Sequence, residues 1–193
     1  MALHDHTYAV IMAGGVGSRF WPMSRSGSPK QFLDILDRGR TLIQMTADRL
    51  EPTLPYDRMY VVTNVRYKDE VMAQLPDLPE DHILCEPFMR NTAPCLAYAH
   101  HRIAKNDPDA TIIVASADHL IEDEEGFRDV LDVAVQQASE TSQLLTLGIP
   151  PTRPDTGYGY IQYEELPGAH DERLQQVRTF TEKPNKDLAE QFI

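Results

Sequence analysis

Ala9 to Phe32 reads AVIMAGGVGSRFWPMSRSGSPKQF, a short apolar run that opens into glycines and then into cations. Gly14, Gly15 and Gly17 lack a Cβ, so their backbone N–H groups can approach an anion closely. Arg19 and Lys30 add positive charge, and an arginine can hold two phosphate oxygens at once. The chemistry this combination suits is the binding of a phosphate chain. Phe20 stands where the third glycine of a dinucleotide fingerprint belongs, and no Gly-Lys-Ser/Thr follows, so neither common phosphate-loop motif is present. On the glycines alone, a flexible turn with solvated cations accounts for the stretch equally well.

Four further stretches carry groups able to do chemistry. Asp118 follows the apolar run ATIIVASA. A carboxylate there can hold Mg²⁺, which takes few protein carboxylates together with phosphate oxygens, although a turn-forming Asp is the commoner use. EPFMRNTAP, from Glu86 to Pro94, reads as a polar turn between a strand and a helix. The helix start offers free N–H groups, and a cap with a surface turn explains it too. TGYGYI places Gly157 and Gly159 within an alternating strand, as a bulge or as a backbone that a sugar can approach. FTEKP ends a strand with Glu182 and Lys183. The carboxylate can accept from vicinal hydroxyls and the ammonium can meet a phosphate, or the two form an exposed ion pair. His100 and His101 are adjacent on a helix and share no face, so they suggest no metal site.

Short apolar strands alternating with amphipathic helices position these groups. Thr7–Ala13, MYVVTN, DHILCEP, ATIIVASAD and QLLTLGI read as strands, and two more alternating strands lie in TGYGYIQYEE and VRTFTEKP. TLIQMTADRL opens with Thr41 and Gln44 in a capping-box arrangement. TAPCLAYAHHRIAKND is helical, with Thr92 as its cap and Pro94 in the first turn. EGFRDVLDVAVQQASE puts Phe127, Val130, Leu131 and Ala134 on one face. The pattern predicts an α/β fold, Rossmann-like, with a mostly parallel central sheet and helices on both faces. Such sheets bind ligands at the carboxyl ends of their strands, where the glycine loop and Asp118 both fall.

The 193 residues suffice for one sizeable core, and the net charge of -12 argues against a nucleic-acid or anionic-membrane surface. Cys85 and Cys95 match no metal or redox spacing and read as small buried thiols in a reducing, cytoplasmic setting. NKDLAEQFI begins as a capped helix and runs to the apolar Phe192 and Ile193 with no stop signal, which reads as a cut within a larger domain.

GGVGSRFWPMSRSGSPKQF resembles the signature loop of the sugar-1-phosphate nucleotidyltransferases, and its FWPMSR version resembles their mannose-1-phosphate guanylyltransferase branch. The resemblance continues in order through EPFMRNTAP, ADH, TRPDTGYGYI and FTEKP. It implies the nucleotide-diphospho-sugar transferase fold, with 1–193 as the N-terminal part of a catalytic domain and the remainder outside this chain. It implies Mg²⁺ as cofactor, GTP and mannose 1-phosphate as substrates, and GDP-mannose and pyrophosphate as products. A homodimer is the assembly it admits. Gly14, Gly15 and Gly17 would bind the nucleotide, with Glu86, Arg90, Asn91 and Thr92 against the base. Arg19 and Lys30 would hold the triphosphate and Asp118 the metal. Gly157, Tyr158, Gly159 and Glu182 would receive the sugar, and Lys183 would orient its phosphate. The resemblance puts a second metal-binding carboxylate beyond Ile193. The residues leave open a non-catalytic module that binds a nucleotide or sugar phosphate, and a related transferase for another sugar or base.

Overall fold

The computed structural model describes residues 5–15, 21–25, 29–88 and 90–193, so Gly17 and Arg19 lie outside the described residues. The chain divides into two compact units, Met1–Glu140 and Thr141–Ile193.

Four parallel strands form the centre of the first unit: β1 (Thr7–Met12), β2 (Met59–Asn64), β3 (Ile83–Glu86) and β4 (Thr111–Ser116). Their spatial order is β3-β2-β1-β4, with Ala9 opposite Met59 on one side and Ile113 on the other. The chain therefore steps from β1 to one flank and later returns to the other. That reversal opens a crevice beyond the carboxyl ends of β1 and β4, the place where sheets of this kind bind ligands.

The helices are α1 (Leu42–Leu50), α2 (Lys68–Gln74), α3 (Thr92–Ala104) and α4 (Glu124–Glu140). Side chains alternate across each strand, so one sheet makes two cores. Ala9, Ile11, Met59 and Val61 pack with residues of α1, α2 and α4, whereas Val10, Tyr60 and Val62 pack with α3. Helices thus cover both faces, as the sequence pattern predicts. Thr41 caps α1 in a full capping box with Gln44. On α3 the apolar positions Cys95, Ala99 and Ile103 recur every fourth residue and meet the sheet. Cys85 and Cys95 are free thiols in the two different cores, and burial pushes Cys95 up to about 11, so both behave as packing residues.

The structure corrects several sequence expectations. The cap position of α3 is Asn91 and makes no side-chain cap bond, so Thr92 is the first helical residue. On α4 the expected face holds at Leu131, which is buried, and at Phe127, which packs against the core, while the second buried position is Val135. The short α2 has no counterpart in the sequence reading, because only Val71 of its residues is buried and its pattern is mostly polar. QLLTLGI forms no strand: 143–149 has no regular structure, and Leu144 and Ile149 are exposed. Apolar content alone does not make a strand, since a strand needs a ladder partner, and neither described sheet includes this segment.

In the second unit, β5 (Tyr160–Glu165) and β6 (Gln175–Thr181) pair antiparallel, Tyr160 opposite Thr181. Gly157 and Gly159 precede β5 rather than lie within it. Helix α5 (Lys186–Gln191) is capped by Asn185, whose Oδ1 accepts from Leu188 N at 2.9 Å.

Candidate functional site

At the carboxyl end of β1 the chain passes through Ala13 into Gly14 and Gly15. Ala13 N donates to Val62 O at 2.8 Å, which continues the sheet one residue past the strand. Two side chains then hold its carbonyl: Thr63 Oγ1 donates at 2.9 Å and Gln31 Nε2 at 2.8 Å. Gln31 Nε2 also donates to Gly15 O at 3.0 Å. The glycine segment is therefore fastened from beneath.

Asp118 leaves β4 at the same end of the sheet, with Ala117 N donating to Met12 O at 3.1 Å. Its Oδ1 accepts from Ser116 Oγ at 2.6 Å, and its Oδ2 is ion-paired with Lys30 Nζ. Both charged side chains are mostly shielded, at 21% exposure for Lys30 and 26% for Asp118. Burial works to raise the Asp118 carboxyl, but the hydrogen bonds from Lys30 and Ser116 and the lysine's charge outweigh it and hold the group below its ordinary range. The structure thus brings together Lys30 and Asp118, residues 88 positions apart in sequence by their numbers, at the crevice between β1 and β4. Behind them the buried Arg49 of α1 donates from Nη2 to His119 O at 3.3 Å, bracing the turn that carries Asp118.

Glu86 closes β3 and is buried. A Cβ placed on Gly14 would lie 3.9 Å from Glu86 Oε2, so this carboxylate flanks the glycine segment. Asn64 Nδ2 reaches Glu86 O at 3.5 Å, tying the ends of β2 and β3. Arg90, Asn91 and Thr92 are exposed and lead into α3. Asn91 sits at φ +67° and ψ -171°, a strained backbone region that residues other than glycine rarely adopt. The first turn of α3 therefore has N–H groups without a side-chain cap, suited to an acceptor from a ligand.

Burial alone raises the Glu86 carboxyl. The folded state then holds that proton more tightly than the unfolded state, so ionised Glu86 works against folding at neutral pH. Glu86→Gln is expected to melt no lower than wild type at pH 8. Its stability relative to wild type should increase as pH rises through the ordinary carboxyl range toward the raised folded value. Thermal unfolding of both proteins from pH 4 to 8 measures this, and a constant difference across the range would contradict it.

The second unit gathers its own set. Tyr158 O accepts from Lys183 N at 3.2 Å, and a Cβ on Gly159 would lie 3.0 Å from Glu182 Oε2 and closer still to the Phe180 ring. Gly157, Tyr158 and Gly159 thus lie beside Glu182 and Lys183, which are ion-paired with each other. Asp155 organises the approach: its Oδ1 accepts from Gly157 N at 2.8 Å, and its Oδ2 is held by Arg153 at 3.1 and 2.8 Å. The Gly157 amide and then Arg153 keep the Asp155 carboxyl below its ordinary range.

Sequence reasoning missed Gln31, Thr63, Ser116, Arg49 and Asp155. Asp155 left a signal, since Asp-Thr-Gly favours a side chain that bonds the backbone two residues on. Ser116 bonds the Asp118 carboxylate two residues on, a local contact that Ser-Ala-Asp also allowed, whereas Gln31, Thr63 and Arg49 act through tertiary contacts and left no signal.

The described residues contain no cluster of three or more His, Cys, Asp or Glu side chains arranged for a metal, and no helix long and apolar enough to cross a membrane. Asp118 supplies a hard carboxylate oxygen at the end of β4. That is consistent with Mg²⁺, which is commonly held by one or two carboxylates and completed by phosphates and water.

Residues 8–193 match the family model described as nucleotidyl transferase. A mannose-1-phosphate guanylyltransferase of Klebsiella pneumoniae is 40% identical over 186 residues, which cover 95% of this chain and 39% of that protein. The alginate biosynthesis protein AlgA of Pseudomonas aeruginosa is 40% identical over 192 residues, covering 95% of this chain and 38% of its own. A solved structure from Thermus thermophilus, described as a mannose-1-phosphate geranyltransferase, matches with a TM-score of 0.85 at 33% identity, over 97% of this chain and 53% of that one. The chain spans about two fifths of the length of these curated relatives.

Proposed function

Because the chain belongs to the nucleotidyl transferase family, we propose that it carries the nucleotide-binding part of a mannose-1-phosphate guanylyltransferase. The reaction joins GTP and mannose 1-phosphate into GDP-mannose and pyrophosphate. The observation that supports this best is the convergence of the Gly14–Gly15 segment, Lys30, Asp118 and Glu86 at the carboxyl ends of four parallel strands.

A phosphate oxygen of mannose 1-phosphate attacks the α-phosphorus of GTP. The new bond is that oxygen to the α-phosphorus. The bond that breaks joins the α-phosphorus to the bridging oxygen of the β-phosphate, whose electrons leave with pyrophosphate. Two polyanions must meet in line, so positioning and charge neutralisation dominate and no side-chain nucleophile is needed. Gly14, Gly15 and Gly17 hold the phosphate chain, while Arg19 and Lys30 neutralise the triphosphate and the departing pyrophosphate. Glu86, Arg90, Asn91 and Thr92 accept the guanine. Gly157, Tyr158 and Gly159 give the mannose a close backbone surface, Glu182 accepts from its hydroxyls, and Lys183 orients its phosphate. Asp118 would hold Mg²⁺, which supplies charge neutralisation on the phosphates when bound.

The test is pyrophosphate release by the whole protein with a panel of nucleotides and sugar phosphates. GTP with mannose 1-phosphate should give the fastest release, and ATP, UTP and CTP should fall at least about tenfold behind, as expected when a buried polar partner of the base is left unpaired. Equal release with UTP would overturn the base assignment. Nucleotide binding without release would favour a non-catalytic module.

A further inference from the structure

Gln31 is a buried polar residue that the proposed chemistry does not use. It lies in the short 3-10 turn Lys30–Phe32 and is only 1% exposed. One side-chain nitrogen serves two carbonyls, Ala13 O at 2.8 Å and Gly15 O at 3.0 Å. Both of its protons are thereby used on the two peptides that bracket Gly14. Its Oε1 finds no donor among the described residues. A buried acceptor left unmatched works against stability, and an apolar side chain of the same size would avoid that. The next residue, Phe32, is buried and packs on Tyr67 with ring centroids 5.7 Å apart, so the turn that carries Gln31 is itself anchored.

We propose that Gln31 is the positioning residue of the phosphate-binding loop, holding the Ala13 and Gly15 carbonyls inward so that the loop presents N–H groups to a polyphosphate. The inference rests on the function proposed above. A trans peptide points its C=O and the following N–H in opposite directions, so drawing Ala13 O toward Gln31 turns the Gly14 N–H away from it. Thr63 Oγ1 shares the hold on Ala13 O at 2.9 Å, so Gln31 matters most at the Gly15 carbonyl, where the glycine backbone can otherwise rotate and a carbonyl turned outward would repel phosphate. Gln31 removes both acceptors from the binding surface. It also follows Lys30 directly, so one anchored turn fixes the loop backbone and the origin of the ammonium that meets Asp118.

The experiment compares wild type with Gln31→Met, which keeps length and volume and removes the donors. GTP and guanosine binding are measured by calorimetry or competition, alongside thermal unfolding. Gln31→Met should bind GTP about tenfold or more weakly, as for a lost hydrogen bond to a charged group. Guanosine, which has no phosphates, should bind the variant as it binds wild type. Equal losses for the two ligands would mean a structural role and overturn the inference, as would unchanged GTP binding. Wild type that binds no GTP would overturn the proposed function along with it. Where Gln31→Met does not fold, the wild-type amide spectrum decides. The Gly14 amide should shift with GTP and not with guanosine, with the Gln31 side-chain amide protected from exchange. A Gly14 amide indifferent to GTP overturns the inference.

Discussion

Asp118→Asn is expected to abolish Mg²⁺-dependent pyrophosphate release in the whole protein, with a loss of at least about a thousandfold. The substitution keeps shape and the ability to accept from Ser116 Oγ, now 2.6 Å away, but removes the negative charge. Charge stabilisation by a bound metal contributes several kcal/mol, and each 1.36 kcal/mol is about a tenfold change in rate. The fold should survive, because Asp118 sits in a turn after β4 and is not part of either core. A second measurement separates metal loss from general damage. In wild type, Mg²⁺ should strengthen GTP binding, and in Asp118→Asn that dependence should vanish. A folded variant whose GTP affinity still rises with Mg²⁺ would remove Asp118 from the metal site.

Lys30→Met should lower pyrophosphate release about ten- to a hundredfold or more, since hydrogen bonds to charged groups contribute about 1.5–3 kcal/mol. It should also change stability with a definite pH signature. Asp118 is held below its ordinary range in the folded state, against its own burial, by Lys30 and Ser116. A depressed carboxyl contributes stability above its unfolded pKa, and that contribution is lost as pH falls through the folded value. Removing Lys30 removes the main support of that depression and leaves a largely shielded carboxylate without its counter-charge. The variant should therefore melt lower than wild type at pH 7, and the two should converge as the solution is acidified below the ordinary carboxyl range. Unfolding curves from pH 2 to 7 measure this. A gap that stays constant would show that the ion pair contributes nothing to folding. Release unchanged in a folded Lys30→Met would remove Lys30 from the triphosphate site.

The two variants also bear on how the site changes when ligands arrive. Lys30 and Asp118 neutralise each other, so a cation that takes Asp118 competes with the ammonium for the same carboxylate oxygen. The ammonium so displaced would be free to meet the anionic phosphates. Metal and nucleotide should then strengthen each other's binding, and the coupling is reciprocal.

The sequence by itself determined the parts governed by local physics. Alternating and continuous apolar runs marked β1 to β4, because a parallel strand is buried on both faces. Thr41 and Gln44 announced the start of α1 through a capping box whose bonds lie within four residues. The glycines after β1 and the carboxylate after β4 marked two strand ends, and parallel topology alone requires those ends to share one edge of the sheet. The motif order from GGVG to FTEKP carried the family resemblance.

Only the tertiary structure decided the rest. The order β3-β2-β1-β4 put Lys30 against Asp118, a pairing that no spacing in the sequence expresses. QLLTLGI has a strand's composition but forms none, because a strand exists through a ladder partner and neither described sheet takes it in. Glycines read as interior to a strand lie ahead of β5, where an antiparallel neighbour brings Gly159 beside Glu182. A glutamine following a lysine looks like a surface residue by composition, and its burial beneath the glycine segment depends on a turn folding back under β1. Periodicity and caps are set by neighbours a few residues apart and can be read along the chain. Hydrogen bonds and ion pairs across tens of residues depend on the packed sheet, and the packing alone specifies them.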